Sequence, residues 1–257
     1  TVRPNTPLLS DYIISLYNDG STTTNATVGD GPQTVSLNSN QKLMKVNQGD
    51  TYGEEYRYYG ASPNNYVDFN GELWRIISVS KVFSSESDTT GETRVRIIKD
   101  TSIGGYHWDS DSNYNNNWAD ATLMCQLNTM YYNDTVPACT GKSLTSLTTS
   151  LNSEARNLID NALWYLGGGD NSDLYADDYY NMERNNSGYG SNPTRWIGKV
   201  GLMYPSDFGY ASSGASEICE GKEMYNWNHG DYKTECAEKS WLYDSSEYQW
   251  TLTPRSD

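Results

Sequence analysis

The run Leu73–Val79, LWRIISV, constrains this chain more than any other stretch. A β-strand turns successive side chains to opposite faces, so apolar residues of both parities leave neither face for water. Trp74 and Ile76 share one parity; Leu73, Ile77 and Val79 share the other. Whatever fold forms must cover this strand on both sides. The wider stretch Tyr58–Val79, YYGASPNNYVDFNGELWRIISV, reads as a strand, a tight Asn/Gly-rich connection and this second strand.

Strands are expected at Glu55–Tyr59, Tyr66–Phe69, Leu73–Val79 and Thr93–Lys99, the last two forming a hairpin across the polar Ser84–Glu92 turn. Pro7–Asn18 spaces Leu8, Leu9, Tyr12, Ile13, Leu16 and Tyr17 along one face of a helix. The Thr/Ser/Asn/Gly-rich Gly20–Asn40 reads as a loop or weak hairpin. Helices are predicted over Trp118–Tyr132, opened by an Asn117 cap, and over Ser150–Leu166, stopped by three glycines. Asp170–Asn192 has no clear period and reads as an exposed acidic loop. Trp196–Tyr204 then returns to strand character, and Trp241–Tyr243 and Gln249–Leu252 are expected as a last strand pair. Strands, then helices, then strands argue for an α+β fold in one compact unit. Within it, residues 1–50 supply an N-terminal helix and polar loop, and 51–257 the main domain.

The mean hydropathy is low, −0.76, yet 22 Tyr and 8 Trp raise the aromatic share to 13%. Disordered chains are poor in aromatics, so this is a polar surface over a folded core. A net charge of −15 with no cluster of Lys or Arg argues against nucleic acid or an anionic membrane as partner. No run approaches the roughly 18 apolar residues of a membrane span. The chain opens abruptly on TVRPN and is expected to be a mature or trimmed form whose export signal or anchor lies outside this sequence. Four cysteines fall in two close pairs, Cys125/Cys139 and Cys219/Cys236. Three pairings are possible; the local one closes two short loops, each contributing about 3 kcal/mol in the chain-entropy model. Disulfides imply an oxidising, extracellular setting.

The segments YYGASPNNYVDFNGELWRII, RVRIIKDTSIGGYHWD, NNWADATLMCQLN, SEARNLIDNALW, WIGKVGLMYPSDFGYA and WLYDSSEYQWTLTPRSD occur in this order. In them the chain resembles secreted or surface-displayed proteins of Gram-positive gut bacteria, some carrying prepilin-like export segments. More distantly, it resembles the C-type-lectin-like fold of formylglycine-generating-enzyme relatives. That resemblance implies a binding scaffold whose strands carry variable loops. Relatives continue past WTLTPRS with a further strand, which here is expected to be missing or supplied by a neighbouring subunit. The catalytic cysteines of those enzymes have no counterpart in this chain.

Candidate chemistry is confined to polar loops. Asp109, Asp111, Asn113, Asn115 and Asp120 approximate a calcium-loop spacing, although Tyr114 stands where the sharp turn favours Gly. Calcium is the only cofactor this suggests; an Asx-rich turn entering the next helix explains the same residues. Asp170, Asp173, Asp177 and Asp178 form a second acidic loop. Tyr175, Tyr179, Tyr180, Tyr189, Tyr225 and Trp227 are expected as exposed ligand-contacting aromatics, and Trp74, Trp164, Trp196 and Trp250 as core. His107 and His229 lack any nucleophile signature around them, so no enzyme is expected. The function expected is adhesion or binding of a glycan or protein ligand at a cell surface. The alternative is a structural subunit that self-associates into a filament by strand addition.

Overall fold

A computed structural model describes residues 8–19, 23–27, 34–110, 116–169, 174–188, 190–212, 219 and 222–254. Its centre is a seven-stranded antiparallel sheet built from β1 (Thr23–Thr27), β2 (Thr34–Asn38), β3 (Leu43–Asn47), β4 (Glu54–Tyr58), β5 (Tyr66–Phe69), β6 (Glu72–Val82) and β7 (Glu92–Lys99). Neighbours run in the order β1-β2-β3-β4-β6-β5, with β7 paired along β6. One side of β6 is shared, since Arg57 and Tyr56 of β4 face Ser78 and Val79, while β5 faces Glu72–Arg75. The β5–β6 connection is a two-residue Asn70-Gly71 turn with φ of 62° and 71°. These are the left-handed values that a tight hairpin demands and that Asn and Gly tolerate best.

Both faces of β6 are covered, as its composition requires. The register slips between Ile76 and Ser78, which brings Val79, of the other parity, onto the face of Ile76 and leaves Ile77 on the opposite one. Ile76 and Val79 pack beneath α1 (Leu9–Asn18) with Ile13, Tyr17, Leu43, Tyr56 and Tyr58. Trp74 meets Tyr131, Tyr132 and Leu151 on the same side. Ile77 joins Met203, Ala211, Trp241 and Leu242 on the other. That second face is roofed by α5 (Ala176–Arg184) and α6 (Pro205–Ser212), whose Tyr180 and Tyr210 pack on Val35, Leu37, Met44 and Val46. A second, two-stranded sheet pairs β8 (Ala162–Tyr165) with β9 (Arg195–Gly198). Around it lies a core of Trp118, Met124, Leu166 and Leu252. The fold is α+β, and its sheet runs without a break from β1–β3 into β4–β7.

Ionised groups occupy the interface between sheet and roof. Arg57, 1% exposed, lies 2.8 Å from Asp207 and 3.0 Å from Glu55. Arg96 contacts the other oxygen of Asp207 and stands 3.9 Å from Glu55, so two cations alternate with two anions. Asp207 also accepts the Tyr204 N–H at 2.9 Å. Next to this square, the buried Glu183 accepts the Ser206 N–H at 2.9 Å and its hydroxyl at 2.6 Å. Arg184 pairs with Glu183 and lies over the Tyr180 ring, with Tyr52, Tyr165 and Tyr204 close around it. Removing one partner from such a set leaves an uncompensated charge in the interior.

Elsewhere the structure corrects the expectations. The predicted helix Trp118–Tyr132 is a 3-10 turn, Trp118–Asp120, then α3 (Thr122–Cys125), then a wider π-helical stretch, Gln126–Tyr131. Ser150–Leu166 is helical only over α4 (Ser153–Arg156). Beyond it Ala-Leu-Trp-Tyr joins β9, a tertiary pairing that overrides the helical spacing. Trp196–Tyr204 keeps strand pairing only through β9. Trp241–Tyr243 and Gln249–Leu252 form no ladder; Leu252 N–H instead donates to Met203 O at 2.9 Å. Asp170–Asn192 contains α5, which the sequence analysis missed. Two short elements complete the chain: α2 (Gly49–Tyr52) before β4, and α7 (Gly230–Glu235) near the C-terminus.

The network makes a prediction. Burial pushes the Asp207 carboxyl up, but Arg96 and Arg57 outweigh it and hold the group below its ordinary value of 3.8. Its contribution to stability is therefore complete above that value and lost as pH falls through the lower, folded one. Burial drives Glu183 the other way, to about 7, with Arg184 and Ser206 only partly offsetting it. Its contribution declines as pH rises from 4.5 to about 7. In urea unfolding, Asp207→Asn should lose about 3–5 kcal/mol at pH 7. That loss should shrink as pH falls below 3.8, where the unfolded carboxyl takes up a proton, and on through the lower, folded value.

Candidate functional site: an aromatic ledge over the second core

Four indoles run from the interior to the surface. Trp196 of β9 meets Trp118 edge to face, with ring centroids 5.9 Å apart. Trp118 tilts against Trp108 at 5.5 Å, and Trp108 against Trp250 at 5.8 Å. Trp118 is buried and Trp108 half-buried, whereas Trp250 is 53% exposed. Tyr106 is half-buried beside them, and His107 and Tyr248 are exposed on flanking positions.

Local bonding fixes each ring. The Asn117 side chain accepts the Ala119 N–H at 3.0 Å and caps the turn that carries Trp118. Disulfide Cys125–Cys139 ties α3 to 137–139 and packs in the same core as Trp118. Segment 105–110 is bound to the start of α3, since Leu123 N–H donates to Trp108 O at 3.0 Å. Asp109 reinforces it by accepting the Thr122 hydroxyl at 2.6 Å. Trp250 is held from both directions. Its indole N–H donates to Tyr106 O at 3.0 Å, and two residues later Leu252 is fully buried. Pro254 follows, lying so close to Gly168 that a Cβ there would come within 2.2 Å of its carbonyl oxygen. Only glycine admits the C-terminal segment at this place.

An exposed ring with a fixed orientation is pre-organised to stack on a flat apolar surface, because little rotamer entropy remains to be lost. The Trp108 indole N–H is buried and has no hydrogen-bond partner among the described residues. Such a donor is costly to leave unmade.

The expected sites fare differently. Asp111, Asn113 and Asn115 lie outside the described residues, so only the ends of the calcium spacing are visible. Between those ends stands Lys142, its ammonium 3.8 Å from Asp109 and 3.5 Å from Asp120, donating to Asp120 O at 2.5 Å. A calcium ion using both carboxylates would have to displace it. Among the described residues no group of three or more His, Cys, Asp or Glu side chains is arranged to hold a metal. Of the expected contact aromatics, Tyr225 is exposed, Tyr175 and Tyr179 are half-buried, and Tyr189 falls outside the described residues. Tyr180 and Trp227 are buried and do not present a surface. Tyr180 packs on Tyr210, and Trp227 on Phe208 inside the loop closed by Cys219–Cys236. Asp170 and Asp173 are likewise not described, while Asp178 caps α5 by accepting the Tyr175 N–H at 3.2 Å. Trp250, assigned to the core from strand periodicity, is the exposed member of the ledge.

The Lys142 ammonium yields a test. Millimolar calcium should leave the melting temperature of the wild-type chain unchanged in scanning calorimetry. A rise of several degrees would place a calcium ion in this loop.

Both expected disulfides form, and among the described residues no helix is long and apolar enough to cross a membrane. No protein-family model, no curated protein and no solved structure matches this chain.

Proposed function

We propose that this chain is a non-catalytic extracellular binding domain of the C-type-lectin-like class, and that it holds a glycan on the ledge formed by Trp250, Trp108 and Tyr106. The single observation that carries the reading is Trp250, half exposed yet anchored by its own N–H and by Leu252 and Pro254 behind it. Pyranose rings offer a C–H face that stacks on indole. Two disulfides suit a secreted or surface-displayed protein, where such ligands are met. A hydrolytic role has less to recommend it. His107 and His229 are exposed, and among the described residues neither side chain is paired with a carboxylate or a nucleophile.

A glycan array probed with the full chain should give a defined set of binders, unaffected by chelator. Trp250→Ala should weaken the best of them about tenfold or more, some 1.4 kcal/mol, and Trp250→Phe less. Melting temperatures should stay close to wild type, because the buried anchors of the segment are untouched. An array without binders, or full affinity in Trp250→Ala, overturns the reading.

A further inference from the structure

We propose that two copies of this chain join edge to edge through β1, continuing the sheet across a two-fold axis. Strand β1 ends the sheet, and its inner edge pairs with β2 over five residues in unbroken register. Among the described residues its outer edge has no hydrogen-bonded partner. Sheet proteins ordinarily protect such an edge with charge, proline, a bulge or shortness. The other margins of this sheet are protected in that way. Strand β5 has only four residues, and β7 carries Glu92, Arg94, Arg96 and Lys99. Strand β1, TTNAT, carries no charge, proline or bulge. Its threonines favour the extended backbone.

Charge selects a second copy as the occupant. The chain carries −15 overall, and two copies repel wherever their acidic surfaces approach. Gly20–Gln41, which contains β1 and β2, holds a single charged residue, Asp30. This stretch adds little to that repulsion. Antiparallel pairing of β1 with its own copy sets Asn25 opposite Asn25, Thr24 opposite Ala26 and the strand ends Thr23 and Thr27 opposite each other. Because each copy contributes the same strand, the contact closes at two and does not propagate.

Sedimentation equilibrium of the full chain tests this. The mass should rise with concentration from 28.9 kDa towards twice that value and no further. Asn25 is exposed, so Asn25→Lys and Asn25→Asp should each melt like wild type yet remain monomeric, with like charges opposed. An equimolar mixture of the two variants should associate again. The proposal is overturned by a wild-type chain that stays monomeric at every concentration or grows beyond two. It is equally overturned by single variants that associate like wild type, or by a mixture that does not. None of these outcomes depends on whether the ledge binds a glycan.

Discussion

Arg57 is fully enclosed between the sheet and its roof, and the arrangement of the protein follows from the need to neutralise it. A guanidinium cannot shed its proton, so it must find carboxylates where it lies. Glu55 comes from the same strand, two residues away on the same face. Asp207 comes from α6, far along the chain, and Arg96 of β7 balances the surplus negative charge. Four charges on three elements therefore fix how α6 crosses the sheet. An apolar interface would tolerate sliding; this one does not, because any displacement exposes an unpaired ion to the interior. Glu183 and Arg184 extend the same logic to α5, with Ser206 linking the two helices.

Strands β4–β7 were legible in the sequence because their signals are local, whereas β1 and β2 read only as a loop or weak hairpin and β3 was not read. Alternation in β4, the Asn70-Gly71 turn and the two-sided run of β6 each depend on neighbouring residues alone, and strands and connection lie where those signals put them. The local cysteine pairing was legible for the same reason. What failed depended on distant partners. Leu158, Ile159, Ala162 and Leu163 have helical spacing, yet β9 recruits 162–165 into a ladder that no local window reveals. Helix α5 was concealed by its polarity, since the face it buries is made of Tyr180, Glu183 and Ala176 and not of aliphatic residues. Asp177 and Asp178 in its first turn and Arg184 in its last were the available signal.

The site was the least legible part. Trp250 alternates with Tyr248 and Leu252 in a strand-like pattern and looks like core, while Tyr180 and Trp227 sit among polar residues and look exposed. Both assignments reverse in the structure, because exposure of an aromatic is decided by what the chain lays over it. Here the C-terminal segment is nailed at Leu252 and Pro254, and Trp250 is carried just past the rim of the core. Tyr106, Trp108 and Trp250 lie outside helix and strand, yet the Leu123 and Trp250 N–H bonds and the disulfide beside Trp118 hold their segments in place.

The central claim is that Trp250 and Trp108 form the ligand-contacting surface while the other indoles serve the core. The direct measurement is a two-dimensional NMR titration of the eight tryptophan side-chain N–H signals with a bound oligosaccharide. The account predicts that the Trp250 and Trp108 signals move together and saturate, with those of Trp74, Trp164, Trp227 and Trp241 unmoved. Saturable shifts confined to those four, with Trp250 silent, would contradict it.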